Sequence, residues 1–242
     1  PANSASIVGK SGYSASAVWN GVLVDGVGAQ TVYQNYLKWE IVDEFDLGVD
    51  FAFLHSRLSG ALDYYNRTTH NVVFYVPIAT GGGTTELLAN NGTVRNSGLE
   101  LELSWNDKIS KDLSYNIGLN LTTVNNKVIA LQGRDYIPGA AVRGNYSTRT
   151  VVGYPIGAFW GYEIDGVYTS TKDAMLSEVT QTIMAAGYFK YKDQNGDKKI
   201  DDEDLTYLGT PIPKLQTGLD FGLNWKNLDV SLSLYGQFGN KI

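Results

Sequence analysis

The stretch of sequence that decides the fold is Leu219-Asp220-Phe221-Gly222-Leu223-Asn224-Trp225-Lys226-Asn227-Leu228-Asp229-Val230-Ser231-Leu232-Ser233-Leu234. Apolar and polar residues alternate one by one on both sides of Lys226-Asn227. Successive side chains of a β-strand point to opposite faces of the sheet, so this period of two predicts two strands. The two residues between them predict a tight antiparallel hairpin.

Four further stretches alternate in the same way and bring the predicted strands to six: Phe45–Phe53, Leu58–Tyr64, Leu99–Trp105 and Leu113–Thr122. Short connections of two, seven and two residues join the strands within each pair, whereas residues 68–96 and 123–214 separate the pairs. Short turns at one end and long loops at the other are typical of a transmembrane β-barrel. We therefore expect an all-β, antiparallel transmembrane barrel with long extracellular loops.

Composition supports a membrane barrel and excludes several other classes. The net charge of −6 argues against binding to nucleic acid. Charged residues make up 18% of the chain, below the figure of about 25% for soluble domains. The chain has no cysteine, so it has neither disulfides nor thiolate metal sites. No run of about 18 apolar residues exists, which excludes a helical membrane span.

The two faces of the predicted strands indicate what each face contacts. In a membrane barrel the apolar rows face outer-membrane lipid and the polar rows line the lumen. Phe53, Trp105 and Trp225 fall beside the short turns, where an aromatic girdle would meet one membrane boundary. Six strands are fewer than the roughly eight that close a membrane barrel, so residues 1–242 are expected to be part of a larger barrel domain. A soluble sandwich with aromatic core residues remains the alternative.

One local motif, within residues 193–204, predicts a calcium-binding loop. Oxygen-bearing side chains fall at positions one, three, five, nine and twelve, and the backbone carbonyl of Lys199 falls at position seven; these side chains are Asp193, Asn195, Asp197, Asp201 and Asp204. Hard cations such as Ca²⁺ bind clustered oxygens at this spacing. Lys198 occupies the sharp-turn position where glycine is expected. The alternative is a solvated acidic turn. We also expect a short helix over about 172–186, with Thr171 as its cap.

Several phrases of the sequence resemble the C-terminal half of the SusC/RagA-type TonB-dependent outer-membrane transporters of Bacteroidetes. In chain order they are Leu37-Lys38-Trp39-Glu40, Asp63-Tyr64-Tyr65-Asn66-Arg67-Thr68, Asn90-Asn91-Gly92-Thr93-Val94-Arg95-Asn96-Ser97-Gly98-Leu99-Glu100-Leu101, Gly153-Tyr154-Pro155-Ile156-Gly157-Ala158-Phe159-Trp160-Gly161-Tyr162 and Gly209-Thr210-Pro211-Ile212-Pro213. Each phrase alone is weak, but their shared order over about residues 36–242 is specific.

The resemblance implies a plugged barrel of about 22 strands in the bacterial outer membrane. It also implies a SusD-like surface lipoprotein as partner, energy from TonB–ExbB–ExbD, and nutrient uptake of glycans or peptides. No plug domain is recognisable in these residues. Trp160, Tyr162 and Tyr168 are candidates for stacking on substrate rings. No catalytic constellation stands out, so the protein is not expected to be an enzyme. A calcium-dependent extracellular carbohydrate-binding or adhesin β-domain and a hydrolase with its site on the loops remain the alternatives.

Overall fold

The computed structural model describes residues 14–19, 22–27, 31–33, 37–77, 86–139, 141–142 and 145–242. These residues form mostly strands, nearly all of them paired antiparallel, together with one short α-helix and one 3-10 turn, which confirms the all-β prediction. No helix in the described ranges is long and apolar enough to cross a membrane.

The strands are numbered in chain order. They are β1 Ser14–Trp19, β2 Val22–Val27, β3 Thr31–Tyr33, β4 Ile41–Phe53, β5 Leu58–Pro77, β6 Glu86–Ser110, β7 Leu113–Thr123, β8 Asn125–Leu131, β9 Tyr136–Pro138, β10 Ala141–Val142, β11 Asn145–Tyr146, β12 Thr148–Val151, β13 Ala158–Tyr162, β14 Ile164–Val167, β15 Phe189–Tyr191, β16 Leu205–Gly209, β17 Leu215–Trp225 and β18 Leu228–Phe238. The helix α1 covers Thr171–Met175, and the 3-10 turn covers Asp202–Asp204.

The six predicted strands form one continuous sheet in the order β18-β17-β7-β6-β5-β4. Every neighbouring pair on this path is antiparallel. The register places apolar residues opposite apolar residues, as in Phe221 opposite Leu232 and Leu101 opposite Leu121. Each cross-strand pair therefore shares a face, and the face assignments made from period two are confirmed for the whole sheet.

The leucine rows of this sheet do not meet a second layer within the described part of the chain. Leu47 is 61% exposed and Leu232 is 51% exposed. The buried apolar cluster lies elsewhere and consists of Val76, Ala89, Val94, Val128, Leu131 and Ile137. A soluble sandwich would bury the leucine rows in its core, so that alternative is wrong. The described strands form an open wall rather than a closed barrel.

Within the segment 68–96, expected to be a long loop, the described residues 68–77 and 86–96 form strand. β5 runs on to Pro77 and β6 begins at Glu86, and the ladder between them continues past a bulge at 69–73. Asn71 adopts a φ of 57° at this bulge. The polar residues that broke the alternation in the sequence therefore bend the strands without ending them. The hairpin extends well beyond the apolar rows, and Val76, Ala89 and Val94 of its far part pack with Val128 and Leu131 of β8 in the buried cluster.

The remaining long connection first adds β8 to the large sheet beside β6, and the described residues after β8 form small sheets of their own. β16, β13, β12 and β9 form a four-stranded antiparallel sheet, and β14 pairs with β15. Between these two strands α1 has only five residues and is capped by Ser170, whose side chain accepts from the Asp173 amide. The expected helix over 172–186 with Thr171 as cap is therefore wrong in both length and cap. Residues after Leu176 instead run as irregular chain toward β15.

Candidate functional site

The two faces of the large sheet differ in chemistry along their whole length. One face carries the apolar rows, for example the cross-strand row Phe51, Gly60, Leu103, Leu119, Leu219 and Leu234. The opposite face carries carboxylates, amides and glycines, among them Asp50, Asp63, Glu100, Glu102, Asn120 and Asp220. An apolar outer face and a polar inner face are the arrangement that a lipid-embedded, water-filled barrel requires.

Polar groups of the inner face are joined by hydrogen bonds and ion pairs across neighbouring strands. Arg67 donates to Glu44 at 2.8 Å, and the Ser233 hydroxyl donates to Asp220 at 2.6 Å. Near the short turns, Arg57 lies 3.5 Å from Asp107 at the rim of a polar hollow of about 440 Å³. The described part of the inner face is therefore polar and predominantly acidic.

Large aromatic residues lie at the end of the sheet that carries the short turns. Phe53 ends β4, Trp225 ends β17, and Trp105 lies in register with the first residue of β5. The Trp105 indole donates to the Tyr115 hydroxyl at 3.0 Å. Indole and phenol groups favour the membrane–water interface because one end is apolar and the other can be hydrated. Their placement matches the girdle expected from the sequence.

The predicted calcium loop is a compact turn held by its own carboxylates. Asp193 accepts from the amides of Gly196 (2.6 Å) and Lys198 (2.7 Å), and Asp197 accepts from the Lys199 amide at 2.8 Å. Lys198 adopts a φ of 67°, so the position where glycine was expected does require the left-handed conformation. The side chains at loop positions one and five thus point inward toward backbone amides.

Asp204 closes this loop from a fully buried position. Its two carboxylate oxygens accept from the amides of Gln194 and Asp201, each at 2.8 Å, and 0% of the residue is exposed. Asp201 also accepts from the Lys199 ammonium at 2.6 Å, and this hydrogen bond lowers the pKa of Asp201 below its ordinary value. In the described residues, no three His, Cys, Asp or Glu side chains lie close enough together to hold a metal ion as they stand. Calcium binding at Asp193, Asn195, Asp197, Lys199, Asp201 and Asp204 therefore stays a prediction.

The three candidate stacking residues have different environments. Trp160 packs edge-on to Tyr154 at 5.1 Å, and Tyr207 also contacts both rings. Tyr162 contacts Tyr191 at 5.2 Å and lines a cavity of about 230 Å³ together with Gln181, Thr182, Ile183, Tyr188, Phe189, Tyr191 and Ile200. Tyr168 is 1% exposed and lies beneath the Lys190 ammonium. Trp160 and Tyr162 present ring surface to solvent-accessible space, whereas the ring of Tyr168 does not.

Arg149 lies on β12 in the four-stranded sheet, and the sequence pattern did not reveal its role there. Its guanidinium lies 4.6 Å from the ring centre of Tyr136 and 6.0 Å from that of Trp160. The Nε of Arg149 and the Nε1 of Trp160 are buried without a hydrogen-bond partner among the described residues. Attraction to the ring faces compensates in part for those missing bonds. The three residues come from β9, β12 and β13, so only strand pairing brings them together.

These features together define a piece of a transmembrane β-barrel. They are an open antiparallel wall with an apolar outer face and a polar inner face, an aromatic girdle beside the short turns, and long folded connections at the other end. The chain belongs to the family described as TonB dependent receptor-like, β-barrel, whose model matches residues 8–240. Barrels of this family reside in the outer membrane of Gram-negative bacteria, and the family is one of receptors and transporters rather than enzymes.

Comparison with individual proteins agrees with this assignment. The chain is 28% identical over 230 residues to the TonB-dependent receptor P26 of Formosa agariphila, covering 94% of this chain and 23% of that protein. It is 26% identical over 219 residues to the TonB-dependent receptor SusC of Bacteroides thetaiotaomicron, covering 87% and 20%. It superimposes on the RagAB peptide transporter with a TM-score of 0.70 at 20% identity, covering 91% of this chain and 23% of that one, which shows a shared fold. The chain thus spans about a fifth to a quarter of the length of these proteins.

Proposed function

We propose that the protein takes part in TonB-dependent import of glycans or peptides across the outer membrane. The observation that carries this proposal is the contrast between the two faces of the wall formed by β4–β7 and β17–β18. A leucine surface that faces lipid on one side and an acidic surface that faces water on the other are what separates a pore from a bilayer. The folded connections at the long-loop end would then lie outside the cell, where scaffolded loops recognise ligands.

A surface lipoprotein of the SusD type and the TonB–ExbB–ExbD complex are the proposed partners. Support comes from the similarity to SusC, a TonB-dependent receptor, and from the fold shared with the RagAB peptide transporter. Glycans and peptides are both polar and largely uncharged along their backbones, which suits a lumen lined by amides, hydroxyls and carboxylates. The sequence alternatives of an adhesin or a loop hydrolase gain no support from this arrangement of faces.

Uptake by cells tests the proposed function. Accumulation of fluorescent oligosaccharides and of fluorescent peptides is measured in cells with and without the complete receptor, before and after a protonophore collapses the inner-membrane proton gradient. We expect one of the two substrate classes to lose uptake on both treatments, since TonB draws on that gradient. Uptake that survives loss of the receptor would contradict the proposal, and uptake that needs the receptor but not the gradient would indicate a passive pore.

We propose Trp160 and Tyr162 as substrate-contacting residues. The cavity beside Tyr162 has mostly aromatic and aliphatic walls, and Gln181 is held by bonds to the Ile183 and Phe189 carbonyls and the Tyr191 amide. A rigid apolar hollow of about 230 Å³ accommodates one sugar ring or one side chain of a peptide. Tyr162→Ala should therefore weaken substrate binding by about tenfold, a typical loss for one stacked ring. Tyr168→Phe is the matched control because that ring is buried.

We also propose that the 193–204 loop binds Ca²⁺ as a structural ion. The supporting features are the donor spacing, the inward-pointing Asp193 and Asp197 carboxylates and the left-handed turn at Lys198. Protease protection of this segment in the intact receptor should rise with Ca²⁺, with a midpoint of roughly 10⁻⁴–10⁻³ M as in extracellular modules. Asp193→Asn should abolish the effect and Asp202→Asn, at an exposed position, should not. Protection that ignores Ca²⁺ would refute the proposal.

A further inference from the structure

Two cations stand side by side on the outer face of the sheet, above its apolar rows. Arg95 of β6 is in direct register with Lys127 of β8, and both side chains are exposed. Arg95 lies four residues before Leu99 on an unbroken part of β6, so it shares the outward face with the leucine row. The row between the leucine row and the cations carries the polar residues Asn66, Ser97 and Asn125, beside Phe45 of β4.

The position along the strand places this pair at the outer edge of the membrane. Ten residues separate Arg95 from Trp105 of the aromatic girdle. At about 3.4 Å per residue and a strand tilt of about 40°, this distance is about 25 Å along the membrane normal. The apolar band of such barrels is also about 25 Å tall. Arg95 and Lys127 therefore lie at the depth of the lipid head groups on the long-loop side.

The charges of this pair are not balanced by protein carboxylates within the described residues. Arg95 donates to the Thr68 hydroxyl at 3.4 Å, and neither cation forms an ion pair there. Asp43, which shares their row two strands away, contacts His70 at 3.1 Å. Like charges directly opposite each other on neighbouring strands destabilise a sheet. An anion between the two side chains would remove that repulsion.

We propose that Arg95 and Lys127 bind a phosphate group on an anionic lipid of the outer leaflet. Arginine binds phosphate through two parallel N–H groups, and lysine adds a point charge, so the pair suits a phosphomonoester or phosphodiester. Basic residues at membrane depth are typical sites for lipid head groups. The polar row below would contact sugar or glycerol hydroxyls, and a cleft of about 270 Å³ lined by Asn125 and Lys214 opens beside it.

This inference rests on the proposed orientation of the barrel with its long loops outside the cell, and its test does not depend on transport. Binding of diphosphoryl lipid A to the intact receptor in detergent is measured by native mass spectrometry, with dephosphorylated lipid A in a parallel titration. Each cation at an anionic surface contributes about fivefold to affinity. The variant Arg95→Gln/Lys127→Gln should therefore bind diphosphoryl lipid A about 30-fold more weakly and dephosphorylated lipid A unchanged.

Two controls make the result specific. Lys108→Gln/Lys111→Gln removes the same charge at the short-turn end and should leave lipid A affinity unchanged. Arg95→Lys/Lys127→Arg keeps both charges and should stay within about threefold of the unmodified protein. Equal affinity in the unmodified protein and Arg95→Gln/Lys127→Gln would overturn the proposal, as would an equal loss in the short-turn control. Displacement of lipid A by millimolar inorganic phosphate would show a site for soluble anions and would overturn the lipid as its source.

Discussion

Replacing the buried Asp204 by asparagine should loosen the 193–204 loop even without calcium. Each carboxylate oxygen of Asp204 accepts one backbone amide, from Gln194 and from Asp201. An asparagine keeps one acceptor and turns an NH₂ group toward the other amide, which leaves a buried donor unsatisfied. Such a donor costs about 1–3 kcal/mol. The free energy of opening the loop should fall by about 2 kcal/mol, or about 30-fold in its opening equilibrium.

Hydrogen–deuterium exchange of the intact receptor measures this change directly. Peptides covering 193–204 should exchange about 30-fold faster in Asp204→Asn than in the unmodified protein, in EDTA as well as in Ca²⁺. Asp202→Asn is the matched control, because Asp202 is adjacent and exposed. Unchanged exchange in EDTA, with a loss of protection only in Ca²⁺, would refute the argument that the Asp204 hydrogen bonds hold the loop by themselves.

Leu119→Arg on the apolar face should lower the free energy of unfolding of the barrel in lipid by about 2–4 kcal/mol, measured by urea titration. Asn120→Arg on the inner face should lower it by under about 1 kcal/mol. Equal losses would contradict the assignment of faces. Lys198→Gly should slow hydrogen exchange in the loop, since it removes about 1 kcal/mol of strain at a φ of 67°; faster exchange would show that the lysine side chain matters more. The hydrogen bond from Lys190 holds the pKa of Asp173 below its ordinary 3.8. The contact therefore stabilises the α1 region above pH 3.8, and this stabilisation is lost as the pH falls through the lower pKa of the folded state. Equal protease cleavage of that region at neutral pH and at pH 2.5 would contradict this prediction.

The alternation of residues determined the six wall strands, their pairing across the short connections and the chemistry of each face. Residues such as Leu219, Phe221 and Leu223 carry that information locally, because side-chain direction in a strand depends only on position. The donor spacing of the 193–204 loop is equally local, and the left-handed turn at Lys198 follows from it. These features therefore needed no knowledge of distant contacts.

Tertiary structure decided what depends on pairing between distant segments. Strand ladders override weak alternation, which is why β5 and β6 continue through residues that looked like a loop. The helix ends at Met175, and the chain after it leads to β15, whose pairing with β14 and whose Lys190–Asp173 contact join segments that the local sequence does not relate. The stacking of Arg149 between Tyr136 and Trp160 and the alignment of Arg95 with Lys127 exist only because strands far apart in sequence lie side by side. No local period encodes register between such segments, and register sets which charges and rings meet.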